Sequence, residues 1–301
     1  MKNDAKFTIL SLLDQLLSPI SPLLCKGCGR LGGSLCERCI NDILRQPCPI
    51  CLRCRKRLNS GNMCTQCRKS SAQRLTNAWV VGWRTGALRQ LTNDYKFHSE
   101  LNAAQILALL LQKTLQRAAP ELSFDAIVYV PTIARHIRAR GFDHMALVAK
   151  QLSTQLGVPV LPEVLVRLDN HVQHGSNRQE RRRIATSLGV NADATLPANV
   201  LLIDDIWTTG ATMQTSAALL RGAGARRVYG LIVAVQPEAS ELEAIKIKTL
   251  HMEWIITWRK GRDSNPRRRC RLTAFRERPD QPLLHPSLLF ILANRWVIVY
   301  N

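Results

Sequence analysis

Residues 200–213, VLLIDDIWTTGATM, constrain this chain more than any other segment. Val200, Leu201, Leu202 and Ile203 form a short unbroken apolar run, the pattern of a strand buried on both faces. The run delivers two acids, Asp204 and Asp205, to its C-terminal end. Thr208, Thr209, Gly210, Ala211 and Thr212 follow as a small, hydroxyl-rich turn, and QTSAALLRGAG then reads as a helix. Backbone N–H groups of such a turn, reinforced by the helix dipole, form an anion site. Carboxylates repel a phosphate, but they accept hydrogen bonds from sugar hydroxyls, directly or beside a Mg²⁺. A ribose carrying a 5′-phosphate uses both halves at this spacing. The alternative of an ATPase Walker B strand requires a G-x-x-x-x-G-K-[ST] loop, which the chain lacks.

The surrounding pattern is that of an α/β protein. AWVVGW reads as a strand and the residues from Gly86 as a helix. LNAAQILALLLQKTLQRA is a long helix ending near Pro120. FDAIVYVP is a buried strand stopped by Pro131, and HMALVAKQLSTQLG a helix ending in Gly157. PVLPEVLVRL reads as a strand pair or extended connection, HVQHGSNRQERRRIATSL as a polar, basic loop, and RRVYGLIVAV as a last strand. Strands alternating with helices imply a mostly parallel sheet, whose ligands sit at the carboxyl ends of strands.

Nine of the ten cysteines fall between Cys25 and Cys67. Four CxxC pairs stand out: Cys25 and Cys28, Cys36 and Cys39, Cys48 and Cys51, Cys64 and Cys67. Such clustering, with no long apolar run nearby, reads as a metal-stapled module in a reducing compartment. Eight thiolates suit two structural Zn²⁺ ions, and cysteine-only ligation implies closed, non-catalytic sites; an iron–sulfur cluster is the competing reading. Sequential pairing places Cys25, Cys28, Cys36 and Cys39 at one site and Cys48, Cys51, Cys64 and Cys67 at the other. Spacing leaves interleaved pairing open, and leaves open whether Cys54 replaces Cys48 or Cys51.

The 200–213 segment resembles the 5-phosphoribosyl-1-pyrophosphate (PRPP) motif of type I phosphoribosyltransferases. With the cysteine-rich N-terminus, residues 22–237 resemble the ComF (GntX-like) group of bacterial proteins. The resemblance implies an α/β type I phosphoribosyltransferase fold preceded by a small zinc-binding module with four-cysteine sites. It implies that Asp204 and Asp205 hold the ribose hydroxyls and that the backbone of residues 208–212 wraps the 5′-phosphate, with Mg²⁺ accompanying PRPP. It places a pyrophosphate loop at residues 129–144, with Pro131 and Thr132 in the turn and Arg138 and Arg140 as cations; Asp143 and His144 stand where the group commonly has Asn and Gln. Residues 167–183 match its catalytic hood at Arg167, Gln173, Gly175, Arg181 and Arg182, and Arg181 is the residue expected to act on the leaving group. Lys96 matches a position suited to phosphate contact. No histidine is expected to act as a general base.

The expected organisation is an amphipathic helical leader over 1–21, the zinc module over 22–74, the phosphoribosyltransferase-like domain over 75–237 and a basic tail over 238–301. Ile9, Leu10, Leu13, Leu16 and Leu17 recur at helical spacing, while Asp14 and Gln15 interrupt any signal-peptide core. No window reaches membrane-spanning length, so a cytoplasmic protein without membrane insertion is expected. The tail has no period and a dense Arg run, and it reads as a disordered frameshift or read-through extension, with a basic tail that binds nucleic acid as the competing reading. It holds twelve Lys/Arg against seven Asp/Glu, +5 of the net +20. The remaining positive charge suits a phosphorylated ligand or single-stranded DNA. Two readings compete: a phosphoribosyltransferase with unspecified acceptor, and a non-catalytic PRPP-sensing or DNA-binding module. The group's role in DNA uptake makes DNA-uptake proteins expected partners in either case.

Overall fold

The computed structural model describes residues 24–31, 33–46, 48–59, 61–70, 73–97, 102–168 and 188–245. In order these form α1 (Glu37–Arg45), α2 (Thr65–Lys69), β1 (Asn77–Trp83), α3 (Gly86–Phe97), α4 (Ala103–Ala118), β2 (Ala126–Tyr129), α5 (Ala134–Arg140), α6 (His144–Leu156), β3 (Leu165–Arg167), β4 (Leu188–Val190), β5 (Asn199–Trp207), α7 (Ala211–Gly222) and β6 (Arg227–Val235). The chain divides into two units, 1–239 and 240–301, and the sheet, the cysteine clusters and the cleft described below lie in the first.

The main sheet has the order β1-β6-β5-β2 with every neighbouring pair parallel. β5 and β6 are central, and burial explains their composition: eight consecutive residues of β6, Val228–Val235, are buried. Each large side chain so buried contributes about 1.5–3 kcal/mol, so the apolar runs themselves select the middle of the sheet. β3 and β4 form a separate antiparallel ribbon, and Val160 adds an isolated parallel bridge to Ile127. PVLPEVLVRL is thus one extended segment followed by one strand.

Side chains alternate across the sheet and build two apolar layers. One contains Trp79, Val81, Leu201, Ile203, Leu231 and Val233 under α4 and α6. The other contains Ala78, Val80, Val200, Leu202 and Ile232 under α7. The cysteine-rich segment feeds both layers. Cys25, Leu35, Cys39 and Ile40 join the first, while Cys48, Ile50, Cys51, Leu52 and Met63 join the second. A segment with no core of its own therefore borrows the two faces of the sheet.

No described helix is long and apolar enough to cross a membrane. The leader over 1–21, the loop carrying Arg181, Gln173, Gly175 and Arg182, the Lys96 side chain and nearly all of the tail lie outside the described residues.

Candidate functional site

The carboxyl ends of β2 and β5 open into a cleft of about 560 Å³. Pro131, Thr132, Arg140, His144, Arg167, Asp204 and Asp205 are among its lining residues. Asp204 is buried, and one of its carboxylate oxygens accepts the Asp205 N–H at 2.9 Å. Arg167, on β3, donates from Nε to the Pro131 carbonyl at 3.0 Å, pinning the ribbon to the turn after β2. Burial lowers the pKa of its guanidinium, while the charges of Asp204 and Asp143 push it back up. The two expected cations of the 129–144 loop separate: Arg140 lines the cleft, whereas Arg138 is exposed on α5 and is not among the lining residues.

A hydrogen-bonded chain that the sequence did not disclose runs along the cleft wall. His144 Nε2 lies 2.7 Å from Asp205 Oδ2, and His144 Nδ1 lies 2.9 Å from Thr132 Oγ1. Thr132 Oγ1 in turn lies 2.8 Å from Asp143 Oδ1. Ionised carboxylates only accept, so the Thr132 hydroxyl hydrogen faces Asp143 and an Nε2–H faces Asp205. The hydroxyl oxygen is left as an acceptor toward Nδ1. Arg140 Nη1, which can only donate, stands 3.5 Å from Nδ1 and bonds there only when that nitrogen carries no hydrogen. Asp143 also accepts from Met145 N–H at 2.9 Å as the N-cap of α6. The Tyr95 hydroxyl donates to the His144 carbonyl at 2.7 Å, and burial raises the Tyr95 pKa well above its usual range. The signal available in sequence was the departure to Asp143-His144 itself, which replaces an amide pair with two titratable groups.

β5 hands over directly to the Thr-rich turn. Thr208 and Thr209 are exposed, and Thr209 Oγ1 accepts the Ala211 N–H at 3.4 Å. Gly210 has φ +76° and caps α7, so its left-handed backbone is required at that point. It also packs on the buried Trp207 ring: a Cβ there would stand 2.2 Å from Trp207 Cζ2. Ala211 and Thr212 open the helix with intermediate exposure. The turn follows the acid pair directly along the chain, but none of residues 208–212 is among those that line the cleft.

The cysteines form two groups of four: Cys25, Cys28, Cys36 and Cys39, and Cys51, Cys54, Cys64 and Cys67, the sulfurs within each lying within 4.8 Å of one another. The second set corrects the CxxC pairing. Cys48 is not in it; it is buried in the apolar layer with Ile50 and Leu52, and Cys54 takes its place. The reason is an internal repeat. A turn follows each leading cysteine, closed by Gly29 N–H to Cys25 O and by Arg55 N–H to Cys51 O, both at 2.8 Å. A bridge flanks each turn, Leu24 with Leu31 and Ile50 with Arg57. Gly29 and Arg55 occupy the same left-handed position, φ 70° and 62°. The repeat is therefore Cys-x-x-Cys followed by a left-handed residue, and only Cys51-x-x-Cys54 supplies it in the second copy.

The donor sets fit a divalent metal. At Cys25 burial opposes ionisation, but the amides of Cys36, Cys28 and Gly27 outweigh it and bring the thiol down to about 6. At Cys51 burial is again outweighed by backbone amides, of Cys54, Cys64 and Arg53, leaving about 7. Burial and the neighbouring cysteines push Cys67 up to about 12 and raise Cys39 as well. One thiolate thus forms readily in each cluster and opposes the next, the situation that a bound cation relieves.

A parallel sheet that presents an acid pair and a Thr-rich turn at the end of β5, preceded by two four-cysteine groups, defines a type I phosphoribosyltransferase fold with an N-terminal module able to hold metal. No protein-family model matches the chain. It is 28% identical over 222 residues to competence protein F of Haemophilus influenzae, covering 65% of this chain and 95% of that protein. It is 26% identical over 226 residues to competence protein ComFC of Streptococcus pneumoniae, covering 73% and 90%. Adenine phosphoribosyltransferase of Sphingopyxis alaskensis is 30% identical over 146 residues, covering 46% of this chain and 72% of that enzyme. The chain belongs to the phosphoribosyltransferase superfamily, in its ComF (GntX-like) group.

Proposed function

We propose that the cleft binds PRPP with Mg²⁺ and that the protein serves DNA uptake or utilisation, the setting named by its competence-protein relatives. The observation that carries the ligand is the direct succession, at the end of β5, of Asp204 and Asp205 in the cleft and the 208–212 turn opening α7. Asp204 and Asp205 accept from the ribose 2′- and 3′-hydroxyls. The amides of Thr208, Thr209, Gly210, Ala211 and Thr212 take the 5′-phosphate. Pro131 and Thr132 turn the backbone toward the pyrophosphate, with Arg140 and Arg167 as nearby cations and Arg138 approaching from the exposed face of α5. Mg²⁺, when bound with PRPP, supplies counter-charge for the pyrophosphate.

In the catalytic version of this reading, the C1–O bond of the ribose breaks, pyrophosphate departs and an acceptor's nucleophile forms the new bond at C1. Arg181, the residue that the resemblance assigns to the leaving group, neutralises its developing charge. Each four-cysteine group holds one structural Zn²⁺ in a closed site. Calorimetric titration of PRPP·Mg²⁺ into metal-loaded protein, with ribose 5-phosphate for comparison, tests the donor site. Tight binding that requires the pyrophosphate supports it, and binding of neither ligand refutes it. Pyrophosphate release with a nucleobase, amine or nucleic acid separates the enzyme from the sensor.

The net charge of +20 favours a second reading, in which the basic surface and the metal knuckles hold single-stranded DNA. Phosphate contacts of that kind make affinity fall steeply with salt. Fluorescence anisotropy of a labelled oligonucleotide across a salt series tests it, and absent or salt-independent binding removes it.

A further inference from the structure

The phosphate loop and the second cysteine cluster meet at one side chain. Trp207 is the last residue of β5 and is buried, and its indole N–H donates to the Leu52 carbonyl at 2.9 Å. Leu52 lies in the turn between Cys51 and Cys54, so this carbonyl belongs to the backbone that brings those two sulfurs together. Beyond the ring is Gly210, packed too closely for any Cβ. The indole is thus wedged between a metal-cluster turn and the left-handed residue of the phosphate loop.

Further contacts make the wedge rigid. Leu52 N–H donates to the Asn62 carbonyl at 2.9 Å, and the Asn62 side chain accepts from Val80 N–H of β1 at 3.2 Å. Arg55 donates to the Gln236 carbonyl at 3.2 Å, and Gln236 N–H donates to the Trp207 carbonyl at 2.8 Å. The cysteine turn therefore holds the Trp207 side chain directly and its backbone through Gln236. Cys25 and Cys39 of the first cluster pack in the apolar layer on the opposite face of the sheet.

We propose that Trp207 is a positioning residue through which metal at Cys51, Cys54, Cys64 and Cys67 sets the shape of the 208–212 loop and its affinity for a 5′-phosphate. The proposal rests on the reading of that loop as the phosphate site. Loss of the metal frees the 51–54 turn, and a buried indole N–H cannot lose its acceptor without penalty. The ring then follows the Leu52 carbonyl, and Gly210, in contact with the ring, moves with it.

Two measurements on the full chain test this. The first labels the six tryptophans with 5-fluorotryptophan and identifies the Trp207 fluorine signal by its absence in Trp207→Phe. The signal is expected to shift in Cys54→Ala and to stay in place in Cys28→Ala. The second measures PRPP·Mg²⁺ and ribose 5-phosphate binding by calorimetry. Trp207→Phe, with wild-type metal content, is expected to bind both about tenfold more weakly, equivalent to about 1.4 kcal/mol. A Trp207 signal indifferent to loss of the second metal overturns the proposal, as does wild-type affinity in Trp207→Phe. Wild-type protein that binds neither ligand overturns the reading of the loop itself, and the fluorine shift still reports the mechanical coupling.

Discussion

Replacing Cys54 and replacing Cys48 by alanine distinguishes the two possible ligand sets for the second cluster. The sulfur of Cys54 lies 3.8 Å from that of Cys64, within a group of four. Cys48 is 3% exposed among apolar side chains. Structural zinc in Cys-rich peptides binds with about 10–16 kcal/mol, so an even share per thiolate is about 2.5–4 kcal/mol. Cys54→Ala is thus expected to weaken the second site by about two to three powers of ten. At moderate chelator concentration the protein then keeps one zinc where the wild type keeps two. Cys48→Ala removes a buried sulfur that lies outside the group of four, costs about 1 kcal/mol of stability and leaves both zincs in place. Elemental analysis of metal per chain after chelator equilibration, with urea unfolding alongside, reads both effects. Retention of two zincs in Cys54→Ala, with loss of one in Cys48→Ala, would refute the repeat-based assignment.

Asp205→Asn is expected to weaken PRPP·Mg²⁺ binding at least about tenfold, because a carboxylate acceptor for the sugar hydroxyls is lost; unchanged affinity in calorimetry would place the ribose elsewhere. Thr132→Val breaks the chain from Asp143 to His144 and leaves buried groups one partner short. A loss of about 1–3 kcal/mol in urea unfolding is expected, and a neutral result would show that the chain contributes nothing. Gly210→Ala forces a Cβ against Trp207 at a left-handed backbone position, so destabilisation beyond about 1 kcal/mol is expected and a stabilised variant would contradict the packing. Arg55→Gly relieves a left-handed non-glycine residue but removes the hydrogen bond to Gln236 and the stack on Trp83 at 5.8 Å. A net loss of metal affinity at the second cluster, measured by chelator competition, is expected.

What could be read from sequence depended on how local the physics was. The β5–turn–α7 unit was legible because an apolar run, an acid pair and a small-residue turn are consecutive, and their order alone gives a buried strand that runs through an acid pair into a helix start. The first cysteine cluster was legible for the same reason. The second was left open between Cys48 and Cys54 because two overlapping CxxC pairs share Cys51, and pair counting carries no information about which turn can close. That choice falls to the turn geometry, in which Arg55 adopts the conformation of Gly29. The bond from His144 to Asp205 spans 61 positions along the chain, and no periodicity records it.

By itself the sequence determined the elements and their chemical content: which runs are buried strands, where an acid pair runs into a small-residue turn, and that eight or nine thiols crowd one segment. These follow from composition over a few residues, where burial, propensity and charge act locally. Only the tertiary structure decided that the cysteine-rich segment, legible in sequence as lacking a long apolar run, splits its apolar residues between the two faces of the sheet. Only the tertiary structure brought Trp207 against Leu52, 155 positions away in the chain. Such contacts arise when elements separated in sequence compete for the same buried surface, and the winning arrangement depends on shape and hydrogen-bond satisfaction across the whole core.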